Sequence, residues 1–204
     1  MPELAVIFAQ QIVENAKQEI LKHEQYLREL MNILIVHYFD LVWEPIFGKS
    51  FLSEGFFEYW HMKRLLNEEH FNYRQSCLFS QENKYNDILD WCEKYKPLAP
   101  QRLIDRAVLF DDKEKNTVKW HPLTLQLIDK FASEDFLSIL SSNLATMGAV
   151  GSMVPVLKKR LELAQMLSNH SNPMIKQWAD RVADHYENRI KHETLWDDEE
   201  SLRK

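Results

Sequence analysis

Few residues in this chain stand at spacings that chemistry would need. "FGKS" at 47–50 carries the Gly-Lys-Ser end of a phosphate-binding loop. That motif also needs a glycine five residues before Gly48, and Trp43 stands there. The preceding segment reads as helix rather than strand, so its backbone N–H groups are not free to cradle a phosphate. His61, His70, Cys77, Cys92 and His121 are metal-ligand types. They lack the paired Cys-x2-Cys or His-x3-His spacing of a local zinc site. Buried cysteines and ordinary surface histidines are the expected reading of them. Glu68, Glu69 and His70 offer acid and base groups, as any helical protein rich in charge does. There is no His-Glu-x-x-His helix and no Gly-x-Ser-x-Gly elbow. Nothing beside Cys92 favours a thiolate. No catalytic residue, cofactor or metal is expected from these motifs.

The elements that would position such groups are helices. The chain has 204 residues, is 45% hydrophobic and 12% aromatic, and so has enough apolar mass for a real core. It has only 4 glycines, well below the usual share of about 7%; β-rich folds and nucleotide loops use glycine freely. Residues 1–110 carry 12 basic and 16 acidic groups, and residues 111–204 carry 13 and 15. No basic face or tail for nucleic acid is visible. Lys158, Lys159 and Arg160 point about 100° apart on a helix and read as a solvated face. Two cysteines without a leader-like segment point to a reducing cytoplasm. No membrane span is expected: the most apolar stretch, Met31 to Trp43, is interrupted by Asn32, His37 and Asp40.

Leu4, Phe8, Ile12 and Ala16, then Ile20, Leu27, Leu30, Leu34 and Leu41, follow helical spacing. This predicts one long helix, or two with a break near 22–25, closed by Pro45 and Gly48. An aromatic-rich segment over 51–73 follows, with a helix from Phe56. Its aromatics serve a core or a contact surface. Further helices are expected at 87–95, after Pro100, from Pro122, after Ser133 as N-cap, after Ser152, and after Asn172-Pro173.

These make three helix pairs, at about 85–110, 120–145 and 152–192, whose starts lie roughly 32–35 residues apart, the period of helical repeat arrays. The fold class expected is therefore all-α: a longer helical N-terminal part (1–84), three stacked antiparallel pairs as a short solenoid (85–192), and an acidic, disordered tail (193–204).

The last pair is the most explicit. Asn172 suits an N-cap and Pro173 the first helical position. Ile175, Trp178, Ala179, Val182 and Tyr186 then form one apolar stripe. "LSNHSNPMIKQWADRVADHYENRI" resembles the start of the second helix in a HEAT-type repeat, in its Asn172-Pro173 turn, Ile175, Lys176 and Ala179. The longer block 120–182 is similar to the helical-repeat ends of large bacterial proteins, several of them NTPase-bearing anti-phage defence proteins. The resemblance implies a non-catalytic scaffold, sensor or capping module whose partner is another protein or other domains of a larger chain. Asn172, Pro173, Ile175, Trp178 and Val182 are then structural. Phe56, Tyr59, Trp60 and Trp196, and the break at 148–152, are the expected contact places. A helical enzyme built from dispersed Glu, His and Cys residues, or a nucleic-acid-binding patch assembled by folding, remain the alternatives.

Overall fold

A computed structural model describes residues 2–18, 24–66, 78–110, 118–146 and 152–202; the side chains of Glu24, Phe56, Phe57 and 198–202 fall outside that description. The protein is all-helical. Among the described residues the one β-bridge pairs Phe110 with Trp120. The helices are α1 (Pro2–Lys17), α2 (Glu24–Val42), α3 (Phe56–Leu66), α4 (Tyr85–Lys94), α5 (Leu98–Ile104), α6 (Pro122–Phe131), α7 (Glu134–Ala145), α8 (Val154–Leu167) and α9 (Pro173–Leu202). The chain divides into two compact units, 1–108 and 109–204. The helices expected as the first pair, α4 and α5, belong to the first unit.

In the first unit, α1 buries Ala5, Ala9, Ile12, Val13 and Ala16. The three alanines among them let it approach α2 and α3 closely. The expected stop at Pro45 and Gly48 is not there. The helix passes through a π-turn at Trp43–Gly48 and continues over Lys49–Phe51. Pro45 lacks an N–H and its ring crowds the preceding turn; the wider π-turn accommodates both. Gly48 sits where Trp91 of α4 crosses the helix. A Cβ at Gly48 would lie 2.8 Å from Trp91 Nε1 and 3.0 Å from the Trp43 carbonyl oxygen. The glycine of "FGKS" thus makes room for an indole inside a helix.

The run Gln25–Phe51, kinked at Tyr38 (φ −136°, ψ 31°), spans 27 residues and is long and apolar enough to cross a membrane by length and composition, with 39% of its most apolar window buried. This is longer than the interrupted stretch at 31–43 suggested. Its second half is tied to α4 by the Lys84–Asp40 and Lys94–Glu44 ion pairs and by Trp43 against Trp91, ring centroids 5.1 Å apart.

α5 starts at Leu98, earlier than expected, because Pro100 falls in its first turn, where no backbone donor is needed. Leu103, Ile104 and Ala107 are buried there.

In the second unit, local chemistry sets the helix starts. Ser133 Oγ accepts from the Phe136 N–H at 3.2 Å, and Asn172 Oδ1 accepts from the Met174 N–H at 3.0 Å. Pro122 and Pro173 take first helical positions. The core holds Leu123, Leu127, Phe136, Leu140, Leu157, Leu163, Ile175, Trp178 and Ala179. Ser152, just before α8, bonds Asp197 near the end of α9; Lys176, early in α9, bonds the Ser168 carbonyl just after α8 at 2.7 Å. Arg160 is not solvated as its basic run suggested. It is buried, with its guanidinium 4.7 Å from the Phe110 ring centroid. The end at 193–202, expected to be disordered, is helical to Leu202. No proline or glycine follows Pro173 in α9, and Arg189–Glu193 adds an i, i+4 pair.

Candidate functional site

The second unit carries an open groove of about 670 Å³ between α7 and α9. Its walls are two helix faces. α7 supplies Leu137, Ser138, Ser141 and Leu144, and α9 supplies Trp178, Arg181, Val182 and Tyr186. With Glu134, the α7 residues Leu137, Ser138 and Ser141 follow i, i+3, i+4, i+7 spacing and the α9 residues follow i, i+3, i+4, i+8, so each helix turns one continuous stripe toward the gap. Two hydrogen bonds join the helices. Trp178 Nε1 donates to Ser141 Oγ at 2.9 Å, and the Tyr186 hydroxyl donates to the Leu144 carbonyl at 3.0 Å. The contacts rise in the same order along both helices.

These bonds decide what the groove can offer. The polar atoms of Trp178 and Tyr186 are spent inside the protein, and Ser141 Oγ also donates to the Leu137 carbonyl at 2.9 Å. A visiting molecule meets apolar surface on the floor. Polar groups sit at the rim: Glu134 and Gln177 toward one end, Arg181 and His185 toward the other, all exposed. Arg181 makes no ion pair or hydrogen bond among the described residues. Burial raises the pKa of Tyr186 above the ordinary phenol range, so its hydroxyl remains a donor. The groove holds no nucleophile with an adjacent base. Among the described residues no group of three His, Cys, Asp or Glu side chains comes together. Comparison with protein families, with curated proteins and with solved structures found no match to this chain.

The residues expected to be structural line or support this groove. Asn172 caps α9 and Pro173 starts it. Ile175 and Trp178 are buried, and Val182 is half-buried on the groove wall. What sequence reasoning missed is that Trp178 serves two ends, core anchor on one side and groove floor on the other. The stripe was visible; the second helix facing it, with Ser141, was not.

The expected contact residues do not gather in one place. Phe56 opens α3, and its side chain lies outside the described residues. Tyr59 is half-buried. Its ring lies under the Arg102 guanidinium at 4.1 Å and beside Phe51 at 5.5 Å, and its hydroxyl donates to Asp105 Oδ2 at 3.2 Å. Lys63 pairs with the same carboxylate, and Arg102 donates to the Ser53 carbonyl at 2.9 Å. This network fastens α3 to α5. Trp60 is 39% exposed with the Arg64 guanidinium 4.6 Å above its ring. Trp196 is 71% exposed on α9. Glu69, His70, Cys77 and the 148–151 part of the expected break lie outside the described residues. Cys92 is fully buried.

A smaller cleft in the first unit, about 300 Å³, is bordered by Asp40, Glu44, Asp87 and Asp90. Lys84 bonds Asp40 and Asp87, and Lys94 bonds Glu44. Three of its four acids are therefore occupied by the chain's own cations.

Proposed function

We propose that this chain is a non-catalytic helical interaction module that presents the α7–α9 groove to a helix of another protein, as a scaffold or sensor. The observation that carries this is the groove itself. It has an apolar floor whose polar atoms are internally satisfied, a polar rim, and two walls set by helix stripes. An amphipathic helix lying in such a groove offers apolar side chains at i, i+3, i+4 and i+7.

The stacked-repeat reading fits the same contacts. Trp120 Nε1, just before α6, donates to the Leu163 carbonyl of α8 at 2.9 Å, and His170 Nε2, just after α8, lies 3.0 Å from Asp129 Oδ1 of α6, so the two helices are bridged twice in the same chain order. Like helices side by side are the layout of adjacent helix pairs in a repeat array. Lys158, Lys159, Glu162 and Gln165 of α8 and Asp184 of α9 are all exposed, with Met166 49% exposed among them.

A photo-crosslinking residue placed at Gln177, on the rim, tests the reading in cells. It should give discrete protein adducts that the same probe at Lys159 does not. Adducts should vanish when Ser138→Arg fills the groove. Equal labelling from both positions would sink the proposal.

A further inference from the structure

The groove and the exposed Trp196-bearing end of the same helix fit each other. Trp196 lies eighteen residues after Trp178, about five turns at 3.6 residues per turn, so both occupy one face of α9. α7 ends at Ala145, beside Tyr186; farther along, the α9 face leaves Trp196 71% and the neighbouring Leu195 63% exposed. The sequence after Trp196 carries four acids, Asp197 to Glu200. The groove end nearest that direction carries Arg181, which has no anionic partner among the described residues, and His185. One end of α9 therefore shows an apolar anchor followed by negative charge, and the groove shows an apolar floor with a cation, Arg181, at its near end.

We infer that the groove of one copy receives the Trp196-bearing end of α9 from a second copy. This rests on the reading of the groove as a helix-binding site and names its occupant. Because each copy owns both surfaces, the arrangement closes as a two-fold dimer in which each surface is used once. Two α9 helices crossing antiparallel about Arg189 place Trp196 of one copy against Val182 of the partner. The same register brings Asp197, whose carboxylate accepts from Ser152 in its own chain, and the acids that follow it in the sequence to Arg181 of the partner. A single chain cannot satisfy itself: positions 182 and 196 are about 21 Å apart along one rigid helix.

Sedimentation velocity of the full chain over a wide concentration range is expected to show a monomer–dimer equilibrium. Trp196→Ala and Arg181→Glu should each weaken it by about tenfold or more in Kd, as for a buried aromatic anchor and a charge facing it. Both side chains are exposed in the monomer, so melting at low concentration should not move. In a Cys77→Ser background, mixing a Val182→Cys chain with a Trp196→Cys chain under mild oxidation should give the disulfide-linked heterodimer in preference to either homodimer. A chain that sediments as a monomer throughout, or a dimer whose Kd ignores Trp196→Ala, overturns the inference. Adducts from Gln177 to a different protein, from a chain that stays monomeric, would retain the groove as a helix-binding site while removing the second copy from it.

Discussion

Trp178 on α9 donates its indole N–H to Ser141 Oγ on α7 at 2.9 Å while its ring is almost wholly buried. One side chain thus joins the two walls of the groove and fills the core beneath it. Trp178→Ala should cost about 3–5 kcal/mol, the range for emptying a large buried aromatic site. Trp178→Phe retains most of the apolar volume and loses the donor, so it should cost far less, with about 0.5–1.5 kcal/mol from the missing bond. Urea unfolding of the three proteins measures both. A cost below about 1 kcal/mol for the alanine variant would show that α7 and α9 are not joined through this residue.

Gly48 provides a test in the first unit. Its Cβ position is 2.8 Å from Trp91 Nε1, closer than side-chain carbons approach one another. Its backbone is ordinary helix, φ −61° and ψ −40°. On backbone preference alone, alanine would be favoured in a helix by roughly 0.5–1 kcal/mol. Packing opposes this, since the Trp91 ring is held between Trp43 and Phe51. Overpacking of this kind costs about 1–3 kcal/mol, so Gly48→Ala should destabilise on balance. Thermal melting decides the sign. A rise in Tm would mean that Trp91 moves aside freely.

The difference between these two sites shows what was legible in the sequence. Helix starts were readable at Ser133, Pro122 and Asn172-Pro173, because a cap is local chemistry between residues two or three apart. The apolar stripe of α9 was readable for the same reason. The role of Gly48 was not, because it depends on an indole forty-three residues away. Pro45 and Gly48 therefore looked like a helix end when they form a π-turn against Trp91. Arg160 looked solvated because its neighbours Lys158 and Lys159 are; the Phe110 ring that covers it lies fifty residues earlier. Tyr59 and Trp60 are adjacent aromatics with the same sequence signal, yet only Tyr59 meets Asp105 and Arg102. The stripe that predicted Trp178 as a core residue carried no sign of α7 opposite it. The groove arises from two stripes, and a single helical period reports only one.

Tyr59 leads to a prediction about alkaline pH. Burial raises its pKa, and the Asp105 carboxylate, both by its charge and as the acceptor of the hydroxyl hydrogen bond, raises it further. In the unfolded chain the phenol titrates near its ordinary value of about 10. Above that pH the unfolded state loses a proton that the folded state keeps. Stability associated with the protonated phenol is therefore fully present below about pH 10 and falls as pH rises beyond it. Tyr186 is raised in the same direction, so the wild-type slope contains both. Tyr59→Phe removes one titrating group and the bond to Asp105. Its Tm should lie below that of wild type at pH 8 and decline less steeply between about pH 10 and 11. Parallel melting profiles for the two proteins across that interval would show that the Tyr59 hydroxyl does not hold its proton in the folded state.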